Sequence, residues 1–101
     1  MAGKRENAKQ ARLQDEIRNM QQKISDIINN DYTEDKREIV TGYLSTINLT
    51  HVMAESEYNL NNTLLSILLL ANGDADEVAK LTERAKIDFR DVIYWATLQK
   101  K

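Results

Sequence analysis

His51 is the only histidine in the sequence, and Glu55 follows it at i+4, so on a helix the two share a face. A carboxylate-bridged metal centre in a helix bundle needs several inward glutamates and Glu-x-x-His pairs on facing helices. One histidine and no cysteine cannot build that, and a zinc site would need more ligands. His51 is therefore read as a polar residue in a helical seam, where it fixes register or partner choice. No metal and no cofactor is expected.

Acidic residues cluster at Glu34-Asp35 with Glu38, at Glu55 and Glu57, at Asp74, Asp76 and Glu77, and at Asp88 and Asp91. A helical Mg-dependent nucleotide hydrolase would want paired E-x-x-E motifs on adjacent helices. Two of these clusters instead sit where helices should start. Asp88-x-x-Asp91 is a single pair flanked by Lys86 and Arg90, which reads as a solvated, salt-bridged face. No glycine-rich phosphate loop is present, and the serines lack a second histidine or a cysteine to complete a nucleophile system. The expectation is a protein that is not an enzyme and has no catalytic residue.

Binding is the remaining chemistry. Lys4, Arg5, Lys9, Arg12 and Arg18 make a basic N-terminal half-helix that could lie along phosphates. Residues 1–23 carry +3, residues 24–77 carry −8 and residues 78–101 carry +3. An acidic middle between two basic ends eases their packing, and the same pattern could present a basic face to a polyanion. No aromatic is interleaved with the basic arm, and the overall pI of about 5.4 argues against dedicated nucleic-acid binding. A nucleic-acid accessory role is the alternative reading. Tyr94-Trp95 is the other feature of note: a core-rim aromatic pair, or an anchor for a protein partner.

The elements that must carry these residues are helices. The chain has 101 residues, no proline and three glycines, so it has few breakers and none of the regularly spaced turn residues a β-rich fold needs. One helical domain over 1–101 is expected, with residues 1–8 as a frayed basic arm. The polar N-terminus shows no signal peptide, and the longest apolar stretch, 64–71, is far below the roughly 20 residues of a membrane span. With no cysteine, a cytoplasmic protein without membrane contact is expected.

A first helix is read over about residues 4–29. Its apolar positions Leu13, Ile17, Met20, Ile24 and Ile27 have the 4-3-4-3 spacing of a coiled-coil seam. A second segment starts near Thr33 or Asp35. Its stripe runs unbroken through Val40, Leu44, Ile47, His51, Ala54, Tyr58, Asn61, Leu65 and Leu68, broadened by Ile39, Tyr43 and Met53. Asn72-Gly73 closes it with a left-handed cap, and Asp74 with Glu77 opens a third helix. The third stripe is Val78, Leu81, Ala85, Phe89, Val92 and Ala96, with Ile93 and Trp95 beside it. The fold class that follows is all-α, an antiparallel bundle of three long helices joined by short turns.

The lengths do not match. At about 1.5 Å per residue, the outer helices span about 37–39 Å and the middle one about 57 Å. Leu64, Leu65, Ile67, Leu68, Leu69 and Leu70 point nearly all round that middle helix, more sides than two shorter partners can cover. Either the middle segment breaks within 56–63, giving four helices, or the leucines form a contact surface. The expected function is a helical interaction module that self-associates as a dimer or binds a protein partner. Its contact residues would be Leu64, Leu65, Leu68, Leu69, Tyr94 and Trp95.

Overall fold

The structure is a computed structural model that describes the backbone of residues 2–99 and the side chains of residues 11–99. The described residues form five helices: α1 (Ala2–Asp31), α2 (Glu34–Ser45), α3 (Glu57–Ala71), α4 (Ala75–Ile87) and α5 (Phe89–Gln99). Two short 3-10 turns, Leu49–His51 and Met53–Glu55, lie between α2 and α3. Among the described residues there is no strand. The all-helical class holds, but the count of three long helices does not: both the second and the third expected helices are broken.

α1 runs without a break from Ala2 to Asp31. Its seam enters the bundle at Ile17, which is buried, and continues through Ile24, Ile27 and Ile28 against the core. Residues 11–16 are all exposed, Leu13 among them, so the N-terminal part of α1 stands clear of the other helices and lengthens the molecule to 50 Å. Tyr32 plugs the corner into α2; its ring is buried, and burial pushes its pKa up. Arg37 reaches back from α2 to the C-terminal end of α1, donating to Asn29 O at 2.7 Å and to O of Tyr32, just past the helix, at 3.0 Å. That is where a helix C-terminus favours a cation.

The second expected helix breaks over residues 46–56, ahead of the expected window of 56–63; only Ser56 belongs to both. The sequence here is rich in Thr and Asn, whose side chains compete for backbone groups. The Thr46 hydroxyl donates to Tyr43 O at 2.6 Å, and Asn48 Oδ1 accepts from the Thr50 amide at 3.0 Å. Buried Ile47 and Val52 pin the segment to the core. Ala54 and Glu55 both take positive φ, 58° and 48°, which turns the chain into α3. Ser56 then caps α3, its hydroxyl accepting from the Asn59 amide.

The break solves the length problem. α3 can now sit at the centre, packed against α1, α4 and α5. Ile67 and Leu68 are almost fully buried, beside Val78, Ala85 and Val92 of α4 and α5. The stop after α3 is as expected: Asn72 is left-handed at φ 50° and Gly73 follows at φ 86°. Asp74 caps α4 through the amides of Asp76 and Glu77. A Cβ placed on Gly73 would lie 3.6 Å from the Asp31 carbonyl, so the C-terminal ends of α1 and α3 meet. These two helices therefore run in the same direction, while α2 and α4 each turn back after a short connection.

The third expected helix breaks at Asp88, which is extended (φ −154°, ψ 101°). Its carboxylate accepts from the Arg90 amide at 3.0 Å, starting α5 at once in a new direction. No helix among the described residues is long and apolar enough to cross a membrane.

Candidate protein-binding surface

The leucines expected to form the contact surface are mostly inside. Leu65 and Leu68 are buried, Leu68 with only 1% of its surface exposed, and Leu64 is half-buried. They contribute to the core and not to a surface, because the break over 46–56 frees α3 to take helices on three sides. Leu69 alone stays open, 37% exposed, in a shallow groove with Lys23, Asp26, Ile27 and Leu65 between α1 and α3.

Tyr94 and Trp95 do reach the surface, and Leu98 joins them. α5 turns Phe89, Val92 and Ala96 into the core, at i, i+3 and i+7. Its other side carries Tyr94 at 61% exposure, Leu98 at 46% and Trp95 at 38%, all within one helical turn. Ile87, at the end of α4, adds a fourth exposed apolar side chain beside the elbow. An amphipathic surface helix normally shows polar residues there, so α5 is apolar on both faces.

Paired charges frame this face. Arg84 of α4 pairs with Asp91, and its guanidinium carbon lies 5.8 Å from the centre of the Trp95 ring. Arg90 binds Asp88 through Nε at 3.1 Å and Nη2 at 3.2 Å. Those hydrogen bonds from Arg90 hold the Asp88 carboxyl below its ordinary range and raise the Arg90 guanidinium in return. The Asp88–Asp91 pair is thus a salt-bridged helix start, as its spacing implied; Lys86 turns instead to Glu83.

α2 carries the second apolar strip. Ile39 is 44% exposed and Tyr43 is 40% exposed, while Val40 and Leu44 are buried. Gly42 of the same helix is exposed, and a Cβ there would meet nothing within 4 Å. Exposed Glu34, Asp35 and Glu38 lie at the N-terminal end of this face. The Thr33 hydroxyl donates to Asp35 Oδ1 at 2.6 Å and lowers the pKa of that carboxyl. Arg37 is turned inward to α1, so it does not offset these acids on the outer side.

His51 has a local task. It lies in the first 3-10 turn, where Nδ1 accepts from the Asn48 amide at 3.0 Å, completing a capping box. It is not in a long helical seam, and Glu55 is not its helical neighbour, because the chain turns at Ala54 between them. Among the described residues no group of three or more His, Asp and Glu comes together. Of the basic arm, Arg12 and Arg18 are exposed and Arg18 pairs with Asp15 at 3.4 Å. The side chains of Lys4, Arg5 and Lys9 lie outside the described residues.

Leu98 was missed in the sequence, although its i+4 spacing from Tyr94 places it opposite Val92 and Ala96. Comparison of the chain with family models, curated proteins and solved structures finds no match.

Proposed function

We propose that this chain is a non-enzymatic helical module that binds protein through the outer face of α5. The observation that carries the reading is the double-faced character of that helix: Phe89, Val92 and Ala96 are buried while Tyr94, Trp95 and Leu98 remain open to solvent. Tyrosine and tryptophan anchor interfaces because they bring large apolar area at a low entropic cost. The contact surface thus shifts from residues 64–70, where Leu65 and Leu68 hold the core, to residues 87–98. Burial of apolar area supplies the affinity, and the Arg84 and Arg90 pairs at the rim set orientation.

The test is capture from an extract of cells that make the protein, using the immobilised chain and its Tyr94→Glu/Leu98→Glu variant. Both positions are exposed, so helix content by circular dichroism should be unchanged. Loss of the captured proteins in the variant supports the reading. Identical capture by both chains counts against it.

A further inference from the structure

The buried residues of α4 and α5 keep one helical phase across the elbow between them. Val78, Thr82 and Ala85 of α4 and Phe89, Val92 and Ala96 of α5 are all buried. Their spacing is 4, 3, 4, 3, 4, as on a single uninterrupted helix. Two helices that pack independently need not share a phase. Only Asp88 stands between them, and the stretch from Lys86 to Arg90 holds neither glycine nor proline. Covalent geometry therefore permits one straight helix over 75–99.

A small set of side-chain contacts keeps the elbow bent. Asp88 Oδ1 accepts from the Arg90 amide at 3.0 Å and from Arg90 Nε at 3.1 Å. Arg84 of α4 pairs with Asp91 of α5 and lies over Trp95. These groups are partly exposed, where each such contact is weak. The bent chain also sends the Asp91 amide to the Asp88 carbonyl at 3.2 Å. A continuous helix would instead give the amides of Phe89, Arg90 and Asp91 the carbonyls of Ala85, Lys86 and Ile87. What opposes it is Asp88, a poor residue inside a helix and a good one at its start.

A straightened chain cannot keep its own α5 in place. α5 packs on α3 and α4, and Val92 joins Ile67, Leu68, Val78 and Ala85 in one buried cluster. Straightening withdraws Phe89, Val92 and Ala96 from that seat and uncovers it. The segment that fits the seat is the one the structure shows in it, so a second copy's α5 is its occupant. We infer that Asp88 is a hinge, and that two copies of this chain exchange α5 when it opens. The contacts of α5 with α3 and α4 then re-form between chains, which makes exchange a low-cost route to a dimer. The outer face of α5 takes no part, so the inference stands apart from the reading of Tyr94, Trp95 and Leu98 as a binding face.

The chain has no cysteine, so an introduced pair can report which α5 lies on which α4. The Arg84 guanidinium carbon lies 5.8 Å from the centre of the Trp95 ring. On one straight helix the two residues would be about 16.5 Å apart along the axis. A short thiol crosslinker between Arg84→Cys and Trp95→Cys therefore closes within a chain only when that chain is bent, and between chains only after exchange. The experiment refolds the full chain and Asp88→Ala at high protein concentration, dilutes them and measures mass by light scattering. Both are also prepared with the cysteine pair, crosslinked and sized after denaturation.

Asp88→Ala removes the carboxylate that starts α5 and supplies a strong helix former. Its mass should be roughly twice the monomer value of 11.6 kDa, with the crosslinks between chains. The wild-type chain should yield a smaller dimer fraction, also crosslinked between chains, that persists on dilution because α5 must leave its seat to return. Adding Tyr94→Glu to Asp88→Ala should leave the dimer intact. A folded Asp88→Ala that stays monomeric, a dimer crosslinked only within its chains, or a dimer lost with Tyr94→Glu would each overturn the inference. If Asp88→Ala does not fold, the wild-type chain decides: refolding to monomer alone overturns it, and an interchain crosslink supports it.

Discussion

α3 and α5 are both short helices rich in large apolar residues, yet one hides nearly all of them and the other only half. α3 is enclosed by α1, α4 and α5, and its residues from Leu65 to Leu68 are buried on every side. α5 packs on α3 and α4, and its remaining side meets solvent with Tyr94, Trp95 and Leu98. Apolar load alone therefore does not locate a binding surface in this protein; the number of neighbours does. The two breaks in the chain decide that number. The 46–56 segment places α3 among three partners, and Asp88 sends α5 to the edge.

The sharpest way to test this contrast is to remove one leucine from each helix. Leu68→Ala opens a cavity between helices and should cost about 2–5 kcal/mol. Leu98→Ala removes a side chain already half in water and should change monomer stability by no more than about 0.5 kcal/mol. Urea unfolding of both variants, at a concentration low enough to keep the chain monomeric, measures the difference. Equal losses would mean that α5 is covered after all.

A smaller effect should come from the turn that makes the enclosure possible. Ala54 sits at φ 58° and ψ 19°, where a Cβ crowds the backbone. Ala54→Gly relieves that crowding but loosens the unfolded chain, so the expected gain is at most about 1 kcal/mol. A loss of stability on thermal melting would show that the residue takes another conformation, and with it the route into α3.

Much of this frame could be read from residue types. The seam from Ile17 to Ile28, the Asn72-Gly73 stop and the Asp74 cap appear where their chemistry puts them. The two breaks could not be read from periodicity, because apolar residues keep helical phase straight through them. Ile47, His51, Ala54 and Tyr58 continue the stripe of α2 in number, yet Ile47 is buried from a loop and His51 caps a turn. Phe89 continues the stripe of α4 in the same way, although Asp88 has already left the helix. The deciding signal was the competition of Thr46, Asn48, Thr50 and Asp88 side chains for the backbone, which a hydrophobic pattern does not register. That is why the core leucines were expected at the surface alongside Tyr94 and Trp95, which do reach it.

Next in size is the rim of the exposed face. Arg84 lies over Trp95 and pairs with Asp91, both at partly exposed positions. Arg84→Gln should lower stability by about 0.5 kcal/mol, since exposed contacts of this kind are weak. Trp95 is the only tryptophan, so its emission should move to longer wavelength as the guanidinium leaves the ring. Unchanged emission would mean that Arg84 does not shelter the ring in solution.

The smallest effect belongs to the residue that separates the buried helix pair from the exposed one. Asp88 is held below its ordinary pKa of 3.8 by hydrogen bonds from Arg90. A folded carboxyl that binds its proton more weakly than the unfolded one favours the fold once it is ionised. Its contribution is therefore present above the ordinary value and fades as the pH falls through it toward the depressed one. Asp88→Asn cannot ionise, so the variant should melt slightly below wild type near neutral pH, and the gap should close as the solution is taken well below the ordinary carboxylate range. The side chain is partly exposed, so the gap will be small, and melting curves need to be compared at matched salt. A gap that persists unchanged into acid would show that Asp88 holds the α4–α5 elbow through its shape at the helix start and not through its charge.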